Sequence, residues 1–325
     1  YTCASLINNI RKDYPAIHEI YLQFKDCTLK VSCSTKALQK ELAKYFSTFQ
    51  TRQTEPNIEI TVHEARTPKL DFPFQTPKLE QGKTKHKEEF FDLPDGRIVR
   101  KLLTEMVFIF GQGQNLPIGP CEKNPNQVIN FINNRFIEWE LRQGALLGHA
   151  AGVYFNGRGL ALAGFSGMGK STLALHLMSR KAMFVSNDRL LIHKQSSDTE
   201  LQMTGVPKLP RINPGTALNN AQLVNIIPLK EKERIQKIPV NQLWHLEQKY
   251  DVDIETCFGK DRFLLSSPMH GLVILNWQKS SEPVSITRFD PAKRIDLIKA
   301  FIKHPGLFFY PDSDCAQIKL PITQE

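Results

Sequence analysis

The sequence predicts an α/β fold: a phosphate-loop core with a mixed, largely hairpin-fed β-sheet and flanking helices, plus a smaller N-terminal α+β domain. Three observations predict it. Gly164-Phe165-Ser166-Gly167-Met168-Gly169-Lys170-Ser171 spells G-x-x-x-x-G-K-[ST]. A short apolar run (159–163) precedes it and helix formers (172–178) follow, which is the strand, loop, helix order the motif requires. Upstream, Asn156-Gly157 marks a two-residue hairpin turn that feeds the strand.

The elements follow in order. Residues 1–65 read as an α/β unit, with strands over 19–25 and 28–32 joined by a turn at Asp26. Leu38, Leu42, Tyr45, Phe46 and Phe49 have near-helical spacing over 36–49, and Ile58, Ile60 and Val62 alternate as a half-buried strand does. Residues 66–89 read as an exposed linker or long loop, on Pro68, Pro73, Pro77 and the lysines 78, 83, 85 and 87. Residues 90–143 read as a β-hairpin and helix connecting region. Asp95-Gly96 marks its turn, 106–110 a strand, 111–125 a turn-rich stretch and 126–142 a helix.

Residues 144–325 read as the phosphate-loop domain. Its strands are expected over 146–155, 160–163, 182–185, 190–193 and 272–277. Pro207, Pro210 and Pro214 constrain the loop 205–215, and 293–302 reads as a terminal helix.

Composition narrows the class. No run approaches the roughly 18–20 apolar residues of a membrane span, so the expectation is a cytoplasmic protein. Six cysteines without a C-x-x-C pair read as reduced thiols rather than a disulfide framework or zinc site. The net charge of +9 is met by a solvated surface and the cations a triphosphate needs, which disfavours nucleic acid as the partner. A chain beginning at Tyr1 reads as a fragment of a longer protein.

The loop carries the chemistry. Its glycines let successive N–H groups point at phosphate oxygens. Lys170 reaches the β- and γ-phosphates, Ser171 ligates Mg²⁺, and the helix from Thr172 onward aims its positive end at the anion. Gly164, Phe165, Ser166, Gly167, Met168, Gly169, Lys170, Ser171 and Thr172 are therefore the candidate ATP-binding residues. Asp188 follows an apolar strand, 18 residues after Lys170, where a second Mg²⁺ ligand belongs. From position alone His149 reads more readily as a packed strand residue than a catalyst. Arg211 reads equally as a surface arginine or a stabiliser of the transferring phosphoryl group.

Together these residues carry a resemblance. The span from Gly148-His149-Ala150-Ala151-Gly152-Val153 through the loop to Val185-Ser186-Asn187-Asp188 resembles the catalytic core of bacterial HPr kinase/phosphorylase, and is similar to the related carboxykinase nucleotide fold. The HprK-related kinase B family is a closer match. It is carried by Asp95-Gly96-Arg97-Ile98-Val99-Arg100-Lys101, Asn126-Gln127-Val128-Ile129-Asn130-Phe131-Ile132-Asn133, Arg211-Ile212-Asn213-Pro214-Gly215-Thr216 and Leu275-Asn276-Trp277.

The resemblance implies a kinase acting on a hydroxyl of a protein or small molecule, with His149 orienting the acid/base group and Asp188 holding Mg²⁺. It also implies an ATP-grasp protein and a small amphipathic-helix protein as partners, and is compatible with a homo-oligomer. One departure stands out: HPr kinase has aspartate where this chain has Asn187, and an amide cannot take the acceptor's proton. Two function classes follow, a phosphotransferase using Lys170, His149, Asn187, Asp188 and Arg211, and a regulatory pseudokinase that binds ATP without transfer. An NTPase switch and a nucleic-acid binder fit less well.

Overall fold

Strand and helix periodicities resolve into a mixed α/β protein whose multi-strand sheets carry helices on their faces. The structure is a computed structural model describing residues 1–79, 85–195, 200–243, 246, 248–277 and 283–311. Glu80, Lys83 and Cys315 lie outside the described residues. The chain divides into two units, residues 1–143 with 305–311, and residues 144–304.

The first unit is one seven-stranded sheet. Its elements are α1 (Cys3–Asp13), β1 (His18–Phe24), β2 (Cys27–Cys33), α2 (Lys36–Tyr45), β3 (Ile58–Glu64), β4 (Glu88–Leu93), β5 (Gly96–Lys101), β6 (Val107–Gly111), β7 (Gln114–Gly119) and α3 (Pro125–Arg142). The strand order is β1-β2-β3-β7-β6-β5-β4. Alternation along β6 assigns the two faces. Val107 and Ile109 pack with Cys3 and Ile7 of α1, whereas Phe108 and Phe110 meet Phe131 of α3 and Phe308. Residues 66–79 contain only a bridge from Gln75 to Phe90, yet Leu70, Phe72 and Phe74 pack against the α1 face.

The second unit holds β8 (Leu146–Gly148), β9 (Ala150–Phe155), β10 (Arg158–Gly164), α4 (Lys170–Met178), β11 (Met183–Ser186), β12 (Leu190–Lys194), β13 (Leu201–Gly205), β14 (Arg211–Ile212), α5 (Pro214–Leu218), α6 (Leu229–Gln236), α7 (Val240–Leu243), β15 (Tyr250–Asp251), α8 (Ile254–Phe258), β16 (Ser266–Met269), β17 (Gly271–Leu275) and α9 (Ile295–Ile298). Two four-stranded sheets form, β11-β9-β10-β17 and β16-β13-β12-β8. Ala161 and Ala163 of β10 pack with Leu190 and Met203 of the second sheet, and Leu162 packs with Ala174 of α4. From Ala161 onward the strand entering the loop is thus covered on both faces, which accounts for its apolar residues there, while Leu160 stays 36% exposed.

The β9–β10 hairpin turns on Asn156 (φ 47°) and Gly157 (φ 80°), with Phe155 paired to Arg158. That is a two-residue turn with both central residues left-handed, as the Asn-Gly dipeptide predicts. β10 then pairs antiparallel with β9 and parallel with β17.

Four expectations change. The turn between β4 and β5 is Pro94-Asp95, and Gly96 already belongs to β5, paired with Leu93. Glycine is needed there because a Cβ would lie 2.3 Å from the Phe110 oxygen, while the Asp95 carboxylate accepts hydrogen bonds from the Cys3 and Ala4 N–H groups at the start of α1. The turn-rich stretch contains β7. Pro117 cannot donate to a ladder, and pairing with β3 is confined to Ile118 and Gly119; the Asn115 side chain donates to the Glu59 carbonyl (3.0 Å). The strand expected over 146–155 breaks at His149, and its halves join different sheets. The terminal helix shrinks to α9, after which Ile302 bridges to Gly148. The five described cysteines are free thiols; burial pushes Cys27 and Cys33 up to about 12.

Close backbone approach holds the two sheets of the second unit in contact. A Cβ at Gly205 would sit 2.0 Å from the Val185 carbonyl oxygen, whereas one at Gly215 meets nothing within 4 Å. Gly205→Ala is expected to lower stability by about 1–3 kcal/mol in urea unfolding. Gly215→Ala, at a helical position, should stay within about 0.5 kcal/mol of the parent. Equal stability of the two variants would refute the close contact of β11 with β13.

Candidate functional site

The loop between β10 and α4 is built from its glycines. Gly164 (φ 153°) ends the strand, where a Cβ would lie 2.9 Å from the Leu275 oxygen. Gly167 (φ 83°) and Gly169 (φ 82°) are both left-handed, and the space where a Cβ would point is open at each. Met168 N–H donates back to the Phe165 carbonyl (3.2 Å), closing the turn. Gly169 is the N-cap of α4 and supplies no side-chain acceptor. The first-turn N–H groups of Lys170, Ser171 and Thr172 therefore have no capping partner, and the positive end of the helix dipole faces the open side of the loop.

Lys170 sits on this loop, 8% exposed. Its ammonium donates to the Gly164 carbonyl (2.7 Å) and to that of Phe165 (3.3 Å). Burial pushes its pKa down, Asp188 pulls it back up, and Lys303 adds to the downward push. Thr172 Oγ1 meets Thr216 Oγ1 at 2.8 Å, tying α4 to the segment that begins at Arg211.

His149 and Asp188 meet because two strand pairs change sheets at one level. β8 pairs with β12 up to Gly148 opposite Leu190, and β9 pairs with β11 from Gly152 opposite Ser186. The residues released between these ladders include His149 on one strand pair and Asn187-Asp188-Arg189 on the other. His149 Nε2 lies 3.0 Å from Asp188 Oδ1, so its Nε2–H donates a hydrogen bond to the carboxylate. Asp188 is 54% open to water, with protein mass on its remaining sides. That packing works against its charge. The His149 hydrogen bond, with Lys303 and Arg189 nearby, outweighs it and holds the carboxyl well below the usual carboxylate range.

Cations gather around this one carboxylate. The main-chain N–H of Lys303 donates to the Leu147 carbonyl (3.1 Å), and His149 N–H donates to the Phe301 carbonyl (2.5 Å). This pairing brings Lys303 within electrostatic reach of both Asp188 and Lys170. Burial lowers the pKa of Arg189, and Asp188 opposes it. Burial lowers Lys208 as well, with Arg189 and Arg211 pushing further and Asp188 and Asp251 opposing. Burial is the main cause at both lysines, so each ammonium is short of solvation, and an incoming polyanion would supply the partner that water does not.

Arg211 faces Asp251 across the β14–β15 pair, Nε to Oδ1 3.0 Å, with both side chains about half exposed (50% and 57%). A pair so open contributes about 0.2–1 kcal/mol, so little holds the guanidinium to Asp251. The Asn187 Oδ1 atom is buried and has no hydrogen-bond partner among the described residues.

The structure thus brings His149 to Asp188, couples Asp188 to Lys170, and links Arg211 to the cluster through Lys208. Ser171 occupies the first turn of α4, immediately after Lys170. Sequence reading missed Arg189, Lys208 and Lys303. Arg189 follows Asp188 directly and Lys208 lies within the Pro-rich loop that carries Arg211, so both had a positional signal. Lys303 had none, because only the Gly148–Ile302 bridge delivers it.

The donor chemistry suits a phosphate-bound Mg²⁺. Ser171 and Asp188 offer oxygen donors, and Asp188 is held ionised. Among the described residues no group of three or more His, Cys, Asp or Glu side chains could cage a metal. An ion here would complete its shell with phosphate oxygens and water, the usual preference of Mg²⁺.

No protein-family model matches the chain, and no curated protein matches it. Among solved structures, the HPr(Ser) kinase/phosphatase from Coxiella burnetii overlaps 42% of this chain at 17% identity, with a TM-score of 0.26. The overlap spans 66% of that protein, just under two thirds of its length. A likeness of this degree does not define a fold or an activity. No helix among the described residues is long and apolar enough to cross a membrane.

The His149–Asp188 contact sets a pH dependence. Because the folded-state pKa of Asp188 lies below its ordinary 3.8, the pair's stabilisation is complete above that value. It is lost as pH falls through the folded pKa. In His149→Ala the largest favourable contact disappears, and the Asp188 carboxyl should titrate at a higher pH. Carboxyl-carbon NMR of labelled aspartate reads this shift. An unchanged midpoint would mean that the hydrogen bond does not govern Asp188.

Proposed function

We propose that the chain is an ATP- and Mg²⁺-dependent phosphotransferase of the HPr kinase-like type. It transfers the γ-phosphoryl group of ATP to a hydroxyl acceptor on a protein or small molecule. The observation that carries this reading is the uncapped, glycine-built start of α4, opening beside a cation cluster that surrounds one ionised carboxylate.

In this reading the N–H groups of the loop and of the first turn of α4 bind the phosphates. Lys170 exchanges the Gly164 and Phe165 carbonyls for β- and γ-oxygens. Ser171 and Asp188 would hold Mg²⁺, which when bound neutralises phosphate charge. His149 keeps Asp188 ionised and oriented. Lys303, Arg189 and Lys208 add positive potential. Arg211 leaves its weak pair with Asp251 to meet charge on the transferring group.

In the reaction the bond from the γ-phosphorus to its bridging oxygen breaks, and a new bond forms to the acceptor oxygen. ADP leaves, and the acceptor's proton passes to solvent. Asn187 cannot receive that proton. A loose transition state, in which positioning and charge stabilisation dominate, tolerates this loss. Asn187, beside the His149–Asp188 pair, would then help position the acceptor without taking its proton. A cytoplasmic setting, with an ATP-grasp protein and a small amphipathic-helix protein as partners, is part of the same proposal. It rests on the resemblance alone.

Asn187 also favours a second reading, a regulatory module that binds ATP without transferring phosphate. Incubation with γ-labelled ATP, Mg²⁺ and the candidate partner proteins separates the two. For a kinase, label appears on an acceptor and Lys170→Ala lowers the rate by about 100-fold or more. Lys170-dependent binding by the parent without transfer, with transfer appearing in Asn187→Asp, would establish the regulatory reading. Absence of nucleotide binding would end both.

A further inference from the structure

The parallel register of β10 and β17 sets Gly164 opposite Leu275. Both strands therefore end at the same level, at the phosphate loop. Phe165 is the first residue beyond β10, and Trp277 is the second beyond β17. At about 3.3 Å per residue, Trp277 stands up to roughly 7 Å past its strand. It therefore stands within that reach of the level at which β10 enters the loop.

Both aromatic side chains open to water, Phe165 at 50% and Trp277 at 56%. Phe165 contrasts with the strand it follows, where Leu162 is 1% exposed and Ala163 0%, while β17, ahead of Trp277, is itself half-open, with Val273 39% exposed. An isolated exposed aromatic is ordinary. Two of them just beyond the ends of paired parallel strands set exposed apolar side chains at the level of the loop. A ligand that matches both loop and rings carries polyphosphate at one end and a flat ring at the other.

We propose that Trp277, with Phe165 beside it, is the stacking surface for the base of the bound nucleoside triphosphate. This rests on the nucleotide reading above and deepens it. Phosphates anchored at Gly167–Ser171 leave the sugar and base to extend outward, past the ends of β10 and β17. Aromatic side chains there give the base a π-face to stack upon while its edges stay in contact with water. Trp277 is the larger ring and the one further from the phosphates, so it carries most of the contact.

The test compares two probes by calorimetry on the whole chain, Mg–ATP and inorganic tripolyphosphate, which lacks sugar and base. The parent protein should bind both. Trp277→Ala should weaken Mg–ATP by about tenfold or more while moving tripolyphosphate by less than about twofold, and Trp277→Phe should recover most of the loss. Circular dichroism checks that both variants keep the fold, as expected for a side chain 56% exposed. Equal losses for the two probes, or no loss of ATP affinity, would overturn the stacking assignment and leave the phosphate site standing. A variant that binds ATP normally but transfers phosphate poorly would also overturn it, by placing Trp277 against the acceptor. A parent protein that binds neither probe would overturn the nucleotide reading itself.

Discussion

The divergence of two strand ladders is the constraint on which the rest of the second unit depends. β8 and β12 stay paired up to Gly148 and Leu190, while β9 and β11 pair from Gly152 and Ser186. Between these points the chain passes from one sheet to the other on both sides at once. Backbone groups released there need new partners, because a buried N–H left without an acceptor is costly. His149 N–H takes the Phe301 carbonyl, which draws residues 301–303 alongside β8 and delivers Lys303. The imidazole of His149 and the carboxylate of Asp188 are left facing each other. One topological event thus supplies the acid, its orienting partner and one of the cations.

Charge balance then connects this crossover to the phosphate loop. Lys170, Lys208 and Arg189 are each held below their ordinary pKa, chiefly by burial, and Lys303 adds to the effect at Lys170. Asp188 pulls all three the other way, joined by Asp251 at Lys208. Such an arrangement is expensive by itself and becomes favourable when several negative charges arrive together. The uncapped N-terminus of α4 adds fixed partial charge of the same sign. Helix start, loop and side chains thus gather positive charge and unpaired N–H groups at one place, the arrangement on which the proposed nucleotide reading rests.

What could be read beforehand was local. The phosphate loop, its entering strand and its following helix were legible because glycine positions, an apolar run and helix formers lie within about 20 residues of one another in sequence. The Asn156-Gly157 hairpin was legible for the same reason. Asp188 was placed at a strand end from the apolar run before it. The break at His149 was hidden, because residues 146–155 form one apolar run and only distant pairing decides which sheet each half joins. β7 was hidden by Pro117 and its flanking glycines, which resemble turn signals although the strand sits inside the sheet. Lys303 was out of reach for a stronger reason: it acts on Lys170 from 133 positions away in the chain (303 − 170), across a bridge that no local pattern encodes.

In the proposed function, the N–H groups of the loop and of the first turn of α4 receive phosphate. Amide hydrogen exchange across residues 164–172, with and without saturating Mg–ATP, tests it most directly. The account predicts slowed exchange at Gly167, Gly169, Lys170 and Ser171 on addition of nucleotide, and loss of that protection in Lys170→Ala. Unchanged exchange in this segment, with nucleotide demonstrably bound, would place the ligand elsewhere and contradict the account.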